Sequence, residues 1–293
     1  MYIDNNNLKW FKGNLHTHTN RSDGRLSPEE SIALYREHGY DFMALTDHWK
    51  LSGNSVHENG MLLLSGCEYD FGQNVRDGIF HIVAVGCETE PALTRQNTPK
   101  DAVDEIHRCG GVVNLAHPCW SMNTLDQLMP LADDVDFTEI FNSVSDLPRN
   151  CRPYSGDIVD KLAARGVYWG IAATDDTHWY GDTDTCRSFI WVNAEECTRE
   201  AILDAVRAKK YYASQGPRME VTFDGKKLRV TCSPDDHITS VMYYTDWVWE
   251  NHRGDVGTDL TSSEYEFTAK DSMARVEITD AEGRRAWSQV YHI

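Results

Sequence analysis

The sequence has no long uninterrupted apolar run and no excess of basic residues. Its 293 residues include 28 lysines and arginines against 46 aspartates and glutamates, which gives a formal net charge of −18 at pH 7. A surface of that sign repels phosphate backbones, so we expect no long nucleic acid as a partner. No segment approaches the length of a membrane span, and the first residues include no apolar signal region. We therefore expect a cytoplasmic protein without a membrane partner.

The eight cysteines are scattered, and no two of them form a CxxC pair. In a chain of this length we expect buried free thiols rather than a disulfide framework. The sequence also lacks a GxSxG elbow, and no cysteine stands in the signature of a known nucleophile. The sequence therefore gives no indication of a covalent serine or cysteine nucleophile.

The order of apolar and polar segments divides the chain in two. Residues 8–214 alternate short apolar runs with amphipathic stretches, which predicts a parallel α/β architecture and, at this length, a barrel. After Gly216-Pro217 no helical period appears, and a hairpin is predicted around Asp224-Gly225. The predicted domains are therefore a barrel over residues 1–216 and a small β-sandwich-like domain over residues 217–293.

Histidines and carboxylates recur where the predicted strands end. His16 and His18 stand two residues apart at the end of the first strand, so both imidazoles point to the same side. Later apolar runs end on Asp47-His48, on Glu68, on His117 and on Asp175-Asp176 with His178. Because the carboxyl ends of parallel strands converge on one face, these side chains are expected to meet there.

The mixture of ligand types indicates which metals such a site would hold. Imidazoles combined with carboxylates suit divalent zinc, manganese or iron. The candidates are too numerous for one tetrahedral zinc ion, so we predict two to three ions that share bridging carboxylates, as in a trinuclear centre. The absence of cysteine from these strand ends argues against an iron–sulfur cluster or a structural zinc knuckle.

Six short motifs follow one another along the chain: His16-Thr17-His18, Ser22-Asp23-Gly24, Thr46-Asp47-His48, Gly66-Cys67-Glu68, Ala116-His117-Pro118 and Asp176-Thr177-His178. Their order resembles that of the PHP superfamily, which is named after polymerase and histidinol phosphatase domains. The resemblance covers about residues 10–216. It implies a distorted (β/α)7 barrel whose two or three metal ions support the hydrolysis of phosphate esters.

Carried over residue by residue, the resemblance implies nine metal ligands: His16, His18, Asp23, His48, Glu68, His81, His117, Asp176 and His178. His81 is the least regular of them, because it lies at the start of its predicted strand; a structural core histidine is the alternative. Either Asp175 or Asp176 could bind metal, and the two-residue step to His178 favours Asp176. We expect Asp47 and Asp175 to support the neighbouring ligands.

The favoured function is a metal-dependent phosphoric ester hydrolase that acts on a small anionic substrate, either a phosphomonoester or a nucleotide-like ester. Metal-activated hydroxide would be the nucleophile. Arg149 and Arg152 follow a predicted strand end on the same face, and they are the candidates for binding the phosphate group.

Two alternatives stay open at this point. The trailing β domain and the opening WFKGNLHTHT resemble a subgroup of metal-dependent phosphoesterases, which is also similar to carbamate-ester hydrolases. A carboxylic or carbamate ester hydrolase with the same metals is therefore the first alternative. An apolar, arginine-poor pocket would distinguish it. The second is a non-catalytic binding protein that the metals stabilise. The sequence indicates neither a particular substrate nor an oligomeric state.

Overall fold

The computed structural model describes residues 1–4, 6–249 and 252–293. Within those ranges no helix is long and apolar enough to cross a membrane. Ser27, Thr98, Thr124 and Thr198 cap four of the helices by accepting a hydrogen bond from a backbone N–H of the first turn. The helices in the described ranges are α1 (Pro28–Glu37), α2 (Pro99–Arg108), α3 (Leu125–Leu128), α4 (Gly156–Ala163) and α5 (Arg199–Arg207).

The described residues also form twenty strands, so the predicted α/β class is confirmed in its coarse form. The strands are β1 (Tyr2–Ile3), β2 (Lys9–Asn14), β3 (Phe42–Ala44), β4 (Ser55–Val56), β5 (Leu62–Leu64), β6 (Gly66–Phe71), β7 (Phe80–Val85), β8 (Val112–Leu115), β9 (Phe137–Asn142), β10 (Gly170–Thr174), β11 (Phe189–Asn193), β12 (Tyr211–Ser214), β13 (Met219–Phe223), β14 (Lys227–Cys232), β15 (Ile238–Thr245), β16 (Gly254–Val256), β17 (Ser262–Glu266), β18 (Met273–Asp280), β19 (Arg285–Trp287) and β20 (Tyr291–His292).

These strands belong to three sheets. The 12-stranded sheet runs in the order β16-β15-β18-β19-β12-β11-β2-β3-β5-β4, with β1 beside β2 and β20 beside β18. A 5-stranded sheet has the order β10-β9-β8-β7-β6, and a 3-stranded sheet has the order β13-β14-β17. Isolated parallel bridges, Thr17 to Thr177 and His48 to Glu68, join the first two sheets at the ends of β2 and β3.

The strands near the predicted site are not all parallel, and this corrects the expectation from sequence. β2, β3 and β5 run parallel to one another, as do β8, β9 and β10. β7, however, is antiparallel to both β6 and β8. The start of β7 therefore lies beside the carboxyl ends of its two neighbours.

The C-terminal strands share a sheet and a core with the rest of the chain. β19 pairs with β12, placing Trp287 opposite Ala213, so hydrogen bonding continues across Gly216. The Trp287 indole is completely buried and stacks on Phe141 with ring centroids 5.7 Å apart. The predicted hairpin around Asp224-Gly225 is confirmed as the β13–β14 pair.

Candidate metal centre

The nine side chains predicted to bind metal come together where β2, β3, β8 and β10 end and β7 begins. In the described residues they form three groups, and within each group the potential ligand atoms lie within 4.8 Å of one another. The groups are His18, Asp23, His48 and His178; His16, His18, Glu68 and Asp176; and Glu68, His81 and His117. His18 and Glu68 each belong to two groups, so the three groups form one continuous cluster.

The central group is buried and its donor atoms face one another. Nε2 of His16 lies 3.2 Å from Nε2 of His18. Oε2 of Glu68 is 3.3 Å and 3.0 Å from these two nitrogen atoms, and Oδ1 of Asp176 is 3.2 Å and 3.1 Å from them. Oδ1 of Asp176 is buried without a hydrogen bond of good geometry. Four electron-pair donors that converge without satisfying one another form an arrangement that a cation would complete.

The second ring nitrogen of two histidines is held by an oxygen atom that is not one of the converging ligand atoms. Nδ1 of His16 lies 2.7 Å from Oε1 of Glu139, and Nδ1 of His178 lies 2.7 Å from the backbone oxygen of Asp176. An acceptor at Nδ1 favours the tautomer that carries its proton there, which leaves the Nε2 lone pair for a metal. The geometry therefore suits ligation through Nε2 in both rings.

The group that includes Asp23 lies on the open side of the cluster. Oδ2 of Asp23 is 3.3 Å from Nε2 of His178 and 3.8 Å from Nε2 of His48, and its Oδ1 is 3.4 Å from Nδ1 of His18. The Asp23 side chain is 53% exposed. An ion in this group would be the most accessible to solvent and substrate.

The two carboxylate oxygen atoms of Glu68 face different groups. Oε2 points to the central group, whereas Oε1 lies 2.7 Å from Nδ1 of His81 and 3.6 Å from Nε2 of His117. His81 reaches Glu68 because β7 is antiparallel, which brings the start of that strand to the same edge. The irregular position of His81 in the sequence is thus explained by strand direction, and Glu68 is placed as a bridging carboxylate would be.

The buried carboxylates and imidazoles shift each other's pKa strongly. Burial alone lowers the pKa of His16, but Asp176, Glu68 and Glu139 outweigh it and hold the pKa well above its ordinary value. The pKa of His18 is raised in the same way. Burial alone raises the pKa of Glu68, but the neighbouring imidazoles, His16 first, hold it well below its ordinary value. Without metal, the buried carboxylates therefore favour the protonated form of these two imidazoles.

Metal binding is expected to strengthen as the pH rises. The pKa values of His16 and His18 are raised, so a metal ion must compete with protons for these ring nitrogen atoms. The apparent affinity should increase until the pH exceeds the raised pKa values, and it should fall on acidification. Calorimetric titration of zinc into metal-free protein, in two buffers with different ionisation enthalpies, counts the protons released. Zinc binding without proton release at pH 7 would contradict this assignment.

Asp47 and Asp175 lie outside the three groups. Asp47 accepts hydrogen bonds from the backbone N–H and hydroxyl of Thr19, both at 2.8 Å, and from the hydroxyl of Ser22 at 2.9 Å. It therefore fixes the turn that joins His18 to Asp23. The fully buried Asp175 accepts hydrogen bonds from Asn14, Tyr35, Ser143, Cys186, Arg187 and Ser188. Burial raises its pKa to about 6.

A cavity of about 250 Å³ opens onto the cluster. Its walls include Trp120, Val144, Arg149 and Trp179, and the guanidinium of Arg149 lies 4.1 Å from the centroid of the Trp179 ring. Arg152, the other predicted phosphate-binding residue, is exposed and is not among the described residues that line the cavity. The structure thus places only Arg149 of the two beside the cluster.

Glu139 belongs to the surroundings of the cluster but was missed in the sequence. It lies in the middle of β9, is completely buried, and also accepts hydrogen bonds from Asn114, from Asn142 and from the backbone N–H of His117. The one charged residue of a strand that is otherwise uncharged would have been the signal, because an unpaired buried carboxylate is costly. Glu139 therefore orients His16 and ties together the ends of β8 and β9.

Comparison with protein-family models gives a match over a limited part of the chain. Residues 154–245 match a family described as a protein of unknown function, DUF3604. No curated protein matches the chain. The family match assigns no activity.

The similarity to solved structures extends further along the chain. A two-domain protein from Bacteroides vulgatus, described as containing a predicted PHP-like metal-dependent phosphoesterase, aligns over 98% of this chain and 95% of its own, with 16% identity and a TM-score of 0.58. The lesion-specific endonuclease PfuEndoQ from Pyrococcus furiosus aligns over 68% of this chain and 56% of its own, with 14% identity and a TM-score of 0.45. An amidohydrolase from Chromobacterium violaceum covers 59% of this chain and 89% of its own, with 17% identity and a TM-score of 0.43.

The last two likenesses are too weak to bear on function. The first shows a shared fold over nearly the whole of both chains. The chain therefore shares its fold with that protein, and the fold that the motif resemblance implied is confirmed in its coarse form.

Proposed function

We propose that the protein is a multinuclear metal-dependent phosphoesterase that hydrolyses a small phosphate ester. The observation that carries this proposal is the cluster of nine histidines and carboxylates beneath a cavity that Arg149 lines. A metal used only for stability needs no access to a cavity. The site is instead open on the side of Asp23, where the carboxylate is 53% exposed.

The residues present fit divalent cations. Each group offers imidazole nitrogen and carboxylate oxygen atoms, which suits zinc, manganese or iron, and we propose two to three ions per chain. When bound, such ions act as Lewis acids that activate water and neutralise charge on the substrate. The chain would hold them through the Nε2 atoms of His16 and His178 and through Glu68, whose two oxygen atoms serve adjacent groups.

The residues in and around the cavity have different roles in this proposal. Arg149 donates hydrogen bonds to the oxygen atoms of the phosphate group when the substrate binds, and it keeps these contacts as negative charge develops on them. Trp120 packs edge-on against His117 and His81, with ring centroids 4.9 Å and 5.6 Å apart, and keeps water from that side of the cluster. Asp47 and Asp175 hold the backbone that carries the ligands, and they position without contacting substrate.

A second candidate function has one observation in its favour. Trp120, Val144 and Trp179 make much of the cavity wall apolar, and Arg149 is the one arginine among the described lining residues. An apolar, arginine-poor pocket is what a carboxylic or carbamate ester hydrolase would need. The same metals would then serve a neutral substrate, for which Arg149 would have little importance.

Replacing Arg149 by alanine separates the two candidates. For a phosphate substrate, the loss of a charge-assisted contact should lower kcat/KM by roughly 30- to 1,000-fold, with unchanged metal content. A neutral ester should be almost unaffected. The measurement compares an aryl phosphate with the matching aryl acetate on the metal-loaded protein. Arg152→Ala is the matched control, because its side chain is exposed and outside the described cavity lining.

Two outcomes of that comparison would contradict the proposal. Equal and small effects of Arg149→Ala on both substrates would remove Arg149 from the phosphate site. Acetate turnover without phosphate turnover in the parent protein would favour the carboxylic or carbamate ester hydrolase instead.

The proposal also includes the barrel architecture. We propose that β2, β3 and β6 to β10 form the distorted barrel that the resemblance implies, with the two isolated bridges between its sheets. The division into residues 1–216 and 217–293 and the absence of a long nucleic-acid partner stay predictions.

A further inference from the structure

The guanidinium of Arg149 is carried by residues 143–153, called here the Arg149 loop, which are buried up to Ser145 and largely exposed beyond it. At its start, the backbone N–H groups of Ser143 and Val144 donate to the carbonyl oxygen atoms of Thr174 and Asp175, at 2.9 Å and 3.0 Å. At its end, the N–H of Asn142 donates to the carbonyl of Pro153 at 3.0 Å, and Tyr154 forms an isolated bridge with Phe141. The loop is therefore fixed at its two ends.

Between those ends, few contacts tie the described loop residues to other segments: Asp146 pairs with Arg187 at 3.4 Å, and Arg149 lies over the Trp179 ring. Asp146, Pro148, Arg149, Cys151 and Arg152 are all exposed. Within the loop, the backbone is closed by local turns, such as the hydrogen bond from the N–H of Arg152 to the carbonyl of Ser145 at 3.1 Å. Segments with little buried surface are held mainly by their anchors, so a loose anchor changes their conformation.

The C-terminal strands supply the anchor at Tyr154. Its hydroxyl donates to Oε2 of Glu277 at 2.7 Å and accepts from Nη2 of Arg275 at 3.1 Å. The same Glu277 oxygen accepts the indole N–H of Trp287 at 2.8 Å. Arg275 and Glu277 belong to β18, and Trp287 belongs to β19. One hydroxyl thus connects the Arg149 loop to two C-terminal strands.

This network of charges is buried and closely packed. The Arg275 side chain is 0% exposed and that of Glu277 is 7% exposed. Arg275 also pairs with Asp160 of α4, with nitrogen-to-oxygen distances of 2.6 Å and 2.9 Å. A Cβ atom added at Gly156 would lie 2.3 Å from the Tyr154 ring, so the ring has little room to move. Buried ionic networks are costly unless fully paired, and they fix one arrangement over others.

We propose that Tyr154, held by Glu277, Arg275 and Trp287, is a positioning residue that sets the Arg149 loop over the cavity. The C-terminal strands thereby act on substrate binding without contacting the cavity. This inference rests on the proposed function, because it takes Arg149 as a contact to the substrate. It assigns a part in the reaction to residues 217–293, none of which is among the described residues that line the cavity.

The test is Tyr154→Phe in the full, metal-loaded chain, since phenylalanine keeps the ring and removes only the hydroxyl. KM for an aryl phosphate should rise roughly five-fold, with kcat and metal content unchanged. In an Arg149→Ala background the second substitution should add nothing. Hydrogen–deuterium exchange of residues 147–152 should become faster, a change that does not depend on turnover.

Tyr243→Phe is the matched control. It removes another hydroxyl from the C-terminal strands, one that lies 3.0 Å from the hydroxyl of Ser263 and away from the Arg149 loop. It should change neither KM nor exchange in residues 147–152.

The outcomes distinguish this inference from the proposed function. Unchanged exchange in Tyr154→Phe would overturn the anchoring of the loop. Faster exchange with unchanged KM would overturn the inference alone, provided that Arg149→Ala still impairs phosphate turnover. If Arg149→Ala has no effect on phosphate turnover, the phosphate assignment falls, and this inference falls with it.

Discussion

Replacing Glu68 by glutamine should remove at least about one metal ion per chain and lower kcat/KM by roughly 10³-fold or more. Glu68 is 1% exposed and its two oxygen atoms face two different ligand groups. Glutamine has nearly the same shape, but its amide group is neutral and can offer only one oxygen. The change therefore affects two groups at once, which no other substitution of a single carboxylate in the cluster does.

The measurement is elemental analysis after metal reconstitution, together with turnover of an aryl phosphate. Glu264→Gln is the control: the same chemical change at a carboxylate that is 57% exposed and pairs with Lys227. It should leave metal content and turnover unchanged. Full metal content and full turnover in Glu68→Gln would show that Glu68 is not a ligand.

Deletion of residues 217–293 is expected to leave the remaining chain unable to fold in soluble form. The deletion exposes one edge of β12 and removes Trp287 from a core that includes Ile140, Phe141, Ile171 and Ala213. It also removes Gln289, which bonds the backbone of Ile171 and Tyr211. An uncovered apolar face beside an open strand edge favours aggregation.

Single substitutions measure how much the C-terminal strands contribute to the stability of the fold. Trp287→Ala should destabilise the protein by about 3–5 kcal/mol. The substitution empties a completely buried site and removes the indole N–H that donates to Glu277. Trp249→Ala, at a side chain that is 77% exposed, should change stability by less than about 0.5 kcal/mol. Urea unfolding followed by circular dichroism measures both. A soluble, cooperatively folding chain that ends at residue 216 would contradict the expectation for the deletion.

The sequence predicted the convergence of the cluster because its signals are local. Each of the motifs around His16, His48, His117 and Asp176 ends an apolar run, and the carboxyl ends of parallel strands meet in space. Capping residues such as Ser27 mark helix starts for the same reason, since the acceptor and the N–H it satisfies are three residues apart.

What the sequence did not predict depends on long-range pairing. The direction of β7 is set by its neighbours, β6 and β8, and no pattern within Phe80–Val85 records it. The continuity of the sheet across Gly216 depends on β12 and β19, which lie far apart in the chain. Glu139 was missed because most of its partners come from two distant segments, at the ends of β2 and β8, and the buried carboxylate is stabilised only when those segments pack against β9.

The reversed direction of β7 also bears on the order in which the cluster can assemble during folding. Glu68 and His81 belong to one hairpin and are 13 residues apart in the chain. His18 and Thr177, whose backbones pair at the far side of the cluster, must meet across most of the chain. Short loops close at a lower entropic cost and sooner than long ones, so the hairpin can place the shared carboxylate before the distant strands arrive. Of the two residues that ligand groups share, Glu68 is thereby the one whose position depends less on distant parts of the chain.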